Sequence, residues 1–397
     1  MKKAVLISNS PGEIMTIMHP LYLELVKRGV EITAVIPPCQ YSTGEEVGIV
    51  RSWKGVGRVV TPAEYMKFLF LMRNLGLSGD AAVFLGGDVF HALKISKKYR
   101  IPLYLYFEKA RKLKQPVAGI FTVNGYVEGR QRSLSGDNRV MVSGDLMESS
   151  VRPLFGYDDT GAKGIAFFPG SRRYQFRYIF PFFLLVAELL KKAGVPGPFS
   201  FNKSPFVTDD MISRALSGSP GRALEGTRGT LSVRPGGNVA VTDGGTECLL
   251  IRGGFAGMLS DTRLAVTIPG SNTAQLGYLA KPFICVVPEN KPEELPIDGA
   301  LNYLDFIPFA GKMLKRRVVL AWGARIKYTA LPNIRAGAFL APEIRGVLTA
   351  SAAAKGIMDI YGDRERLDGI RAALVKTRSG RKPEVYMSDI MEGKVRE

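Results

Sequence analysis

The sequence predicts an α/β protein of two lobes, each a parallel sheet flanked by helices. Three observations predict it. Short apolar runs alternate with helical patterns through the first 150 residues, the alternation starts again after residues 150–162, and 397 residues exceed one ordinary core.

In the first half, "KAVLIS" (3–8), "VEITAVI" (30–36), "GRVV" (57–60), "AAVFLGG" (81–87), "IPLYLYF" (101–107), "AGIFTV" (118–123) and "NRVMVSGD" (138–145) read as strands. Helical patterns such as "IMHPLYLELVKRG" (17–29) and "VFHALKISKKY" (89–99) lie between several of them. Strand, helix, strand at this spacing implies βαβ units. In the second half, "KGIAFFPG" (163–170) is a strand entering a glycine turn, and "RYIFPFFLLVAELLKKAG" (177–194) is a helix with lysines in its last turn and Gly194 beyond. "NVAVTD" (238–243), "LAVTIPG" (264–270) and "PFICVVP" (282–288) are further buried-strand candidates. The tail "IMDIYGDRERLDGIRAALV" reads as helical. The cleft between two such lobes is the default place for a ligand.

Composition narrows the classes. The chain is 46% hydrophobic and 23% charged, as expected of a folded soluble protein. Its three cysteines, Cys39, Cys248 and Cys285, are far apart and form no CxxC, which argues against a disulfide framework or a zinc knuckle. With two histidines, His19 and His91, no histidine-rich metal site is expected. The apolar run after Met1-Lys2-Lys3 is too short for a signal peptide, and no stretch approaches the ~18 apolar residues of a membrane span. The net charge of +18 favours acidic partners: nucleic acid, an anionic membrane surface or phosphorylated substrates. No nucleic-acid-binding signature accompanies it, so nucleic acid is not expected as a partner.

Residues 61–75, "TPAEYMKFLFLMRNL", hold five consecutive apolar residues, more than one helical stripe needs. Two readings stand: a buried helix, or an interfacial helix with Phe68, Leu69, Phe70 and Met72 facing lipid and Lys67 and Arg73 near phosphates.

Four loops are placed to do chemistry. Open α/β sheets bind ligands beyond the carboxyl ends of their strands, where a helix N-terminus offers free N–H groups. At "PGSRR" (169–173), Gly170 lets the backbone approach a phosphate, Ser171 can cap the helix, and Arg172 or Arg173 can add a charge-assisted contact. "IPGSNTAQ" (268–275) repeats the junction, with Ser271, Asn272 and Thr273 near the helix start and Gln275 one turn in, within reach of a ribose hydroxyl. Each alone reads as an ordinary cap; two in one lobe point to a nucleotide diphosphate. In the first lobe, "ISNSPGEIM" (7–15) and "LGGDVFH" (85–91) follow strands and present Glu13 and Asp88. Either carboxylate can act as the base that deprotonates an acceptor hydroxyl. Asp88 also suits a helix N-cap, Glu13 a favourable helix-dipole contact, and His91 is a rival base.

Three segments carry a family resemblance. "FFPGSRRYQFRYIFPFFLLVAELL" is similar to the Leu-Pro-Gly-Ser-Arg segment and following helix of bacterial lipid-A-disaccharide synthases. "MLSDTRLAVTIPGSNTAQLGYLAKPFICVVP" resembles that family's Ser-Asp and Gly-Thr-Ala-Thr-Leu-Glu stretch, and "YTALPNIRAGAFLAPEIRG" (328–346) its Leu-Pro-Asn and Pro-Glu stretch. Together they cover most of residues 164–350. The resemblance implies a GT-B fold: two Rossmann-like lobes with parallel sheets, a cleft between them, and a UDP-sugar held mainly by the second. It implies an inverting transfer to a lipid-linked acceptor, with no metal or other cofactor, on the cytoplasmic face of the inner membrane. The implied lobes are 1–155, joined by the tail 347–397, and 156–346.

Residue by residue, Gly170, Ser171 and Arg172 match the family's Gly-Ser-Arg, Asn333 its Leu-Pro-Asn, and Glu343 its Pro-Glu. Asn333 and Glu343 are thereby candidates for the donor side of the cleft. Gln275 stands where the family has a ribose-binding glutamate. The first lobe departs more. The family's Gly-Glu-x-Ser-Gly-Asp appears as Ser8-Asn9-Ser10-Pro11-Gly12-Glu13, and its aspartate loop is shortened to Gly86-Gly87-Asp88-Val89-Phe90. Asp88 aligns with either of the family's two aspartates, and its distance to the next strand favours the second, catalytic one. The family's Ser-Pro-x-x-Trp-Ala-Trp stretch is absent after "LYLYF". A transferase resembling lipid-A-disaccharide synthase is the expectation. The alternatives are a UDP-sugar epimerase and a non-catalytic basic module that binds membrane or nucleic acid.

Overall fold

The computed structural model describes residues 1–218, 224–234, 237–290 and 326–394. The chain divides into two units, Met1–Pro153 with Arg378–Glu397, and Leu154–Thr377.

The first unit is built on seven parallel strands, β1 (Lys3–Ile7), β2 (Glu31–Val35), β3 (Val56–Val60), β4 (Ala81–Phe84), β5 (Leu103–Phe107), β6 (Gly119–Thr122) and β7 (Val140–Val142). All seven strands expected of this half are present. Their order is β3-β2-β1-β4-β5-β6-β7, so the winding reverses between β1 and β4. At such a reversal the loops leaving the two strands diverge and open a crevice.

Helices α1 (Pro11–Glu13) and α2 (His19–Lys27) are joined by a π-helical turn, Ile14–Met18, that closes with His19 N–H bonded to the Ile14 carbonyl. Pro20, which has no N–H to donate, follows directly. Helix α3 (Glu46–Arg51) precedes β3. Helix α4 (Pro62–Leu71) starts with a capping box, Thr61 and Glu64 bonding reciprocally. It packs Tyr65 and Phe68 into the core formed by Val5, Ile7, Phe84, Leu105 and Phe107. Helix α5 (Val89–Tyr99) adds Ala92 and Ile95 to that core. Helices α6 (Gly125–Ser135) and α7 (Leu146–Val151) complete this part of the unit.

The C-terminal segment returns to the first unit through polar bonds. Glu148, fully buried, accepts from Ser379 N (3.0 Å), Ser379 Oγ (2.7 Å) and Gly380 N (3.2 Å). Arg28 pairs with Asp389 (2.6 Å) and Glu392 (2.9 Å). Hydrogen bonds to a charged group contribute about 1.5–3 kcal/mol each. Glu148→Ala is therefore expected to lower stability by a few kcal/mol. It should raise hydrogen-exchange rates at 379–394 above those of β1 and β4; uniform exchange across the unit would argue against a local clamp.

The second unit carries β8 (Gly164–Phe168), β9 (Phe199–Asn202), β10 (Gly229–Arg234), β11 (Gly237–Thr242), β12 (Glu247–Ile251), β13 (Thr262–Thr267), β14 (Phe283–Pro288) and β15 (Glu343–Gly346). Their order is β10-β11-β12-β9-β8-β13-β14-β15, and the winding reverses between β8 and β13. The parallel sheet is extended at one edge by an antiparallel meander, β10-β11-β12. The "NVAVTD" run is thus an antiparallel strand. Its neighbour β10 offers little signal because none of its residues is buried, whereas β12, "ECLLI", alternates exposed and buried residues and does carry a strand pattern.

Helix α8 (Arg173–Lys192) buries an aromatic face against the sheet, with Phe180 edge-on to Phe201 and Phe183 against Phe167. Helices α9 (Asp209–Ser217), α10 (Ser271–Leu279), α11 (Leu331–Ala336), α12 (Ala350–Tyr361) and α13 (Arg364–Val375) follow. Residues 347–377, read from sequence as part of a tail returning to the first lobe, fall in the second unit. Arg371 on α13 is anchored there by Asp159. Only the last helix, α14 (Pro383–Met391), lies in the first unit. Among the described residues no helix is long and apolar enough to cross a membrane.

Candidate functional site

In the second unit, the loops leaving β8 and β13 meet at the reversal of the sheet. Gly170 has φ +87°, and a Cβ there would fall 2.9 Å from Ile268 Cδ1. Both features demand glycine: a left-handed backbone and a close approach of two loops. The Pro-Gly-Ser junctions at 169–171 and 269–271 are therefore neighbours in space, with α8 starting at Arg173 and α10 at Ser271 itself. Neither helix has a side-chain cap. Helices α3, α11 and α14 also lack a side-chain cap, whereas α4, α5, α6, α7, α9, α12 and α13 are capped by Thr61, Asp88, Asn124, Asp145, Thr208, Thr349 and Asp363; what sets α8 and α10 apart is that the loops leading into them adjoin. Two uncapped N-termini at one sheet edge concentrate free N–H groups and about half a positive charge each.

Ser171 is not the cap expected of it. Arg172 holds the N-cap position of α8 in extended geometry, leaving Ser171 one residue outside. Ser171, Arg172, Ser271 and Asn272 are half-buried, and Gln275 is buried on α10. Thr273 takes an internal role: its hydroxyl donates to the Gly270 carbonyl (2.7 Å) and accepts from Leu331 N (3.0 Å), tying α10 to the start of α11.

Asn333 and Glu343 serve the scaffold, not the surface of the site. Asn333 is fully buried; its carbonyl oxygen accepts from Leu340 N and Ala341 N, and its amide donates to the Ala341 carbonyl and to Glu343. Glu343 accepts from Thr329 N, Thr329 Oγ1 and Ala330 N as well. Burial works against its charge, but these donors outweigh it and hold the carboxyl below the usual range. The Leu-Pro-Asn and Pro-Glu motifs thus lock the turn before α11 to β15.

In the first unit, the loops leaving β1 and β4 interlock in the same way. A Cβ on Gly86 would fall 2.4 Å from Glu13 Cδ, and one on Gly87 would fall 2.4 Å from Asn9 Oδ1. Glu13 and the Gly86-Gly87-Asp88 loop are therefore brought together. Asp88 is exposed and caps α5, its Oδ1 accepting from Phe90 N (2.9 Å). His91 Nδ1 shares a 2.8 Å hydrogen bond with Tyr65 Oη, and burial lowers the His91 pKa while nearby Asp88 pulls it back up.

Two residues of this edge escaped sequence reading. Asn9 donates through Nδ2 to the Pro38 carbonyl (3.3 Å), while its buried Oδ1 has no donor among the described residues. Arg111 donates through Nη1 to the Gly87 carbonyl (2.9 Å). The only signal for it in sequence was the basic run after β5.

The proposed lipid-facing stripe is divided by the structure. Phe68 is 4% exposed and lies against Tyr65 and Tyr99, so it belongs to the core, and Leu69 packs partly against the same cluster. Phe70, Leu71 and Met72 are 69%, 73% and 72% exposed, at the point where Met72 turns left-handed and ends α4. A single helix face cannot present five consecutive residues, and burial took the two on the sheet side.

No protein-family model matches the sequence, and no curated protein matches it. Solved structures do match over nearly the whole chain. An S. aureus MnaA–UDP structure aligns with TM-score 0.57 at 11% identity, covering 99% of this chain and 97% of that one. A UDP-GlcNAc 2-epimerase from Neisseria meningitidis bound to UDP-GlcNAc aligns with TM-score 0.54 at 12% identity, covering 99% and 100%. The glycotransferase of kitacinnamycin aligns with TM-score 0.51 at 12% identity, covering 100% and 99%. With these neighbours and the two sheets described above, the chain has an α/β GT-B fold.

Proposed function

We propose that the protein is an inverting glycosyltransferase that moves a sugar from a UDP-sugar to a lipid-linked acceptor. The observation that carries this reading is the meeting of two uncapped helix N-termini, α8 and α10, at the β8/β13 reversal. Their N–H groups and Arg172 suit the diphosphate, and Gln275 suits the ribose. In the transfer, the acceptor oxygen attacks the sugar's anomeric carbon from the face opposite UDP. The bond from that carbon to the diphosphate breaks, its electron pair leaves with UDP, and Asp88 takes the acceptor proton. The leaving charge is stabilised by preorganised donors. The sequence resemblance to lipid-A-disaccharide synthases supports the acylated-sugar class. The exposed Phe70-Leu71-Met72 tip, flanked by exposed Lys67 and Arg73, supports an anionic membrane surface as partner.

A second reading, UDP-sugar epimerisation, is favoured by the 2-epimerase structures among the neighbours. The two separate by product: an epimerase converts UDP-N-acetylglucosamine alone, whereas a transferase releases UDP only with acceptor present.

Calorimetric titration with UDP and UDP-N-acetylglucosamine, against ADP and GDP, tests the donor site. Selective uridine binding is the expected result, and failure to bind any nucleotide would sink both readings. Gly170→Ala, which forces a side chain into a left-handed position against Ile268, is expected to weaken UDP binding about tenfold or more while melting within a few degrees of wild type.

A further inference from the structure

The segment after β5 carries Lys109, Arg111, Lys112 and Lys114 within six residues, all exposed. A basic run of this kind is ordinarily a solvated, mobile face. Here it is held from below. Arg111 N donates to Gln131 Oε1 (2.8 Å), and Gln131 Nε2 donates back to the Arg111 carbonyl (2.9 Å). Gln131 itself is fully buried on α6 and bonds Ser135 Oγ. Two residues on, Leu113 is buried and its N–H donates to the Leu134 carbonyl (3.1 Å). Burying a glutamine amide is costly unless it is satisfied, and here its satisfaction fixes the backbone of a basic loop.

The Arg111 guanidinium is fixed too. It lies 6.0 Å and 5.8 Å from the ring centroids of Phe84 and Phe107, at the carboxyl ends of β4 and β5, and is bonded to the Gly87 carbonyl. Lys109, Lys112 and Lys114 have no ion-pair partner among the described residues. Four cationic side chains on a pre-positioned backbone, beside the loop that carries Asp88, suit a multiply charged anion. Arginine held in place loses little freedom when it pairs bidentately with phosphate.

We propose that residues 109–114 bind a phosphate group of the acceptor substrate. The term "acceptor" rests on the transferase reading; the phosphate site itself does not. The shared chemistry is a phosphate carrying two or more charges, on a lipid or free in solution.

The test uses the full chain with UDP at saturating concentration, so that any nucleotide site is filled. Inorganic pyrophosphate, dihexanoyl phosphatidic acid and dihexanoyl phosphatidylcholine are titrated into wild type, Arg111→Gln and the double variant Lys112→Ala/Lys114→Ala. Phosphatidic acid or pyrophosphate is expected to bind wild type, about tenfold or more weakly to the variants, and more weakly as salt rises. Binding of phosphatidic acid assigns a lipid headgroup; binding of pyrophosphate alone assigns a soluble phosphate. Equal affinity in wild type and variants, no phosphate binding to wild type, or equally tight phosphatidylcholine binding would overturn the site. Unchanged melting and UDP affinity in the variants keeps misfolding out of the comparison. If UDP fails to bind yet the loop-dependent phosphate binding persists, the site stands and the transferase reading falls.

Discussion

Replacing Asp88 with asparagine is expected to slow sugar transfer about 10²–10⁴-fold, the usual contribution of a general base, while leaving the fold and UDP affinity unchanged. Asparagine is the informative substitution because Asp88, the proposed base, is also a helix cap. Its Oδ1 caps α5 through Phe90 N, and asparagine caps as well as aspartate. Alanine would also remove the cap, costing about 1 kcal/mol, and would blur a catalytic loss with a structural one. The measurement is incorporation of label from UDP-N-acetylglucosamine into a lipid extract, beside thermal melting and UDP titration. Full activity in the asparagine variant would remove Asp88 from the chemistry. The role would then pass to Glu13, which packs against Gly86 in the same loop cluster, and Glu13→Gln would become the deciding variant.

The largest stability effect is expected at Asp159. Lys281 has no exposed surface, and its ammonium is bonded to Asp159 (2.7 Å), to the Leu259 carbonyl (3.1 Å) and to the Thr262 carbonyl. It lies 4.6 Å from the centroid of the Tyr157 ring. Arg371 holds the same carboxylate through two bonds, 3.0 and 2.6 Å. Asp159→Ala strands a buried cation, a loss of about 3–5 kcal/mol in urea unfolding. A loss under about 1 kcal/mol would show that Lys281 finds water or another partner.

The same cluster has a pH signature. Burial pushes Lys281 down to about 8, with Asp159 pulling it back up. Its folded pKa thus lies below its ordinary value of 10.5. Between those two values the unfolded chain holds more protons, so this group adds stability as pH rises. Wild-type stability should therefore rise relative to that of Lys281→Met, which cannot titrate, from pH 8 toward pH 10; a relative fall would reverse the assignment.

How much was legible beforehand follows from which signals are local. The strands of the first unit could be read because a strand buried on both faces needs an unbroken apolar run, as in "AAVF", where every residue is buried. Helix α4 was read from the apolar run at 68–72, but not which of Phe68, Leu69 and Phe70 faced the core. That depends on where Tyr99 and the sheet stand. Strand β10 was missed because none of its residues is buried, as an exposed edge of a meander allows; β12 alternates exposed and buried residues in "ECLLI" and was legible. Asn333 and Glu343 were conspicuous as letters, yet their meaning, an internal lock between the α11 turn and β15, lay in bonds to Thr329, Ala330 and Ala341.

The sequence by itself determined the α/β class, the two rounds of strand and helix, and the glycine turns at 170 and 270, since these follow from side-chain periodicity and backbone freedom within a few residues. Tertiary structure alone decided that the turns at 170 and 270 are neighbours, that Gln131 grips Arg111, and that Lys281 meets Asp159 across 122 positions of chain. Those pairings are set by which strands lie side by side at each sheet reversal, and strand order is a property of the closed sheet that no local stretch encodes.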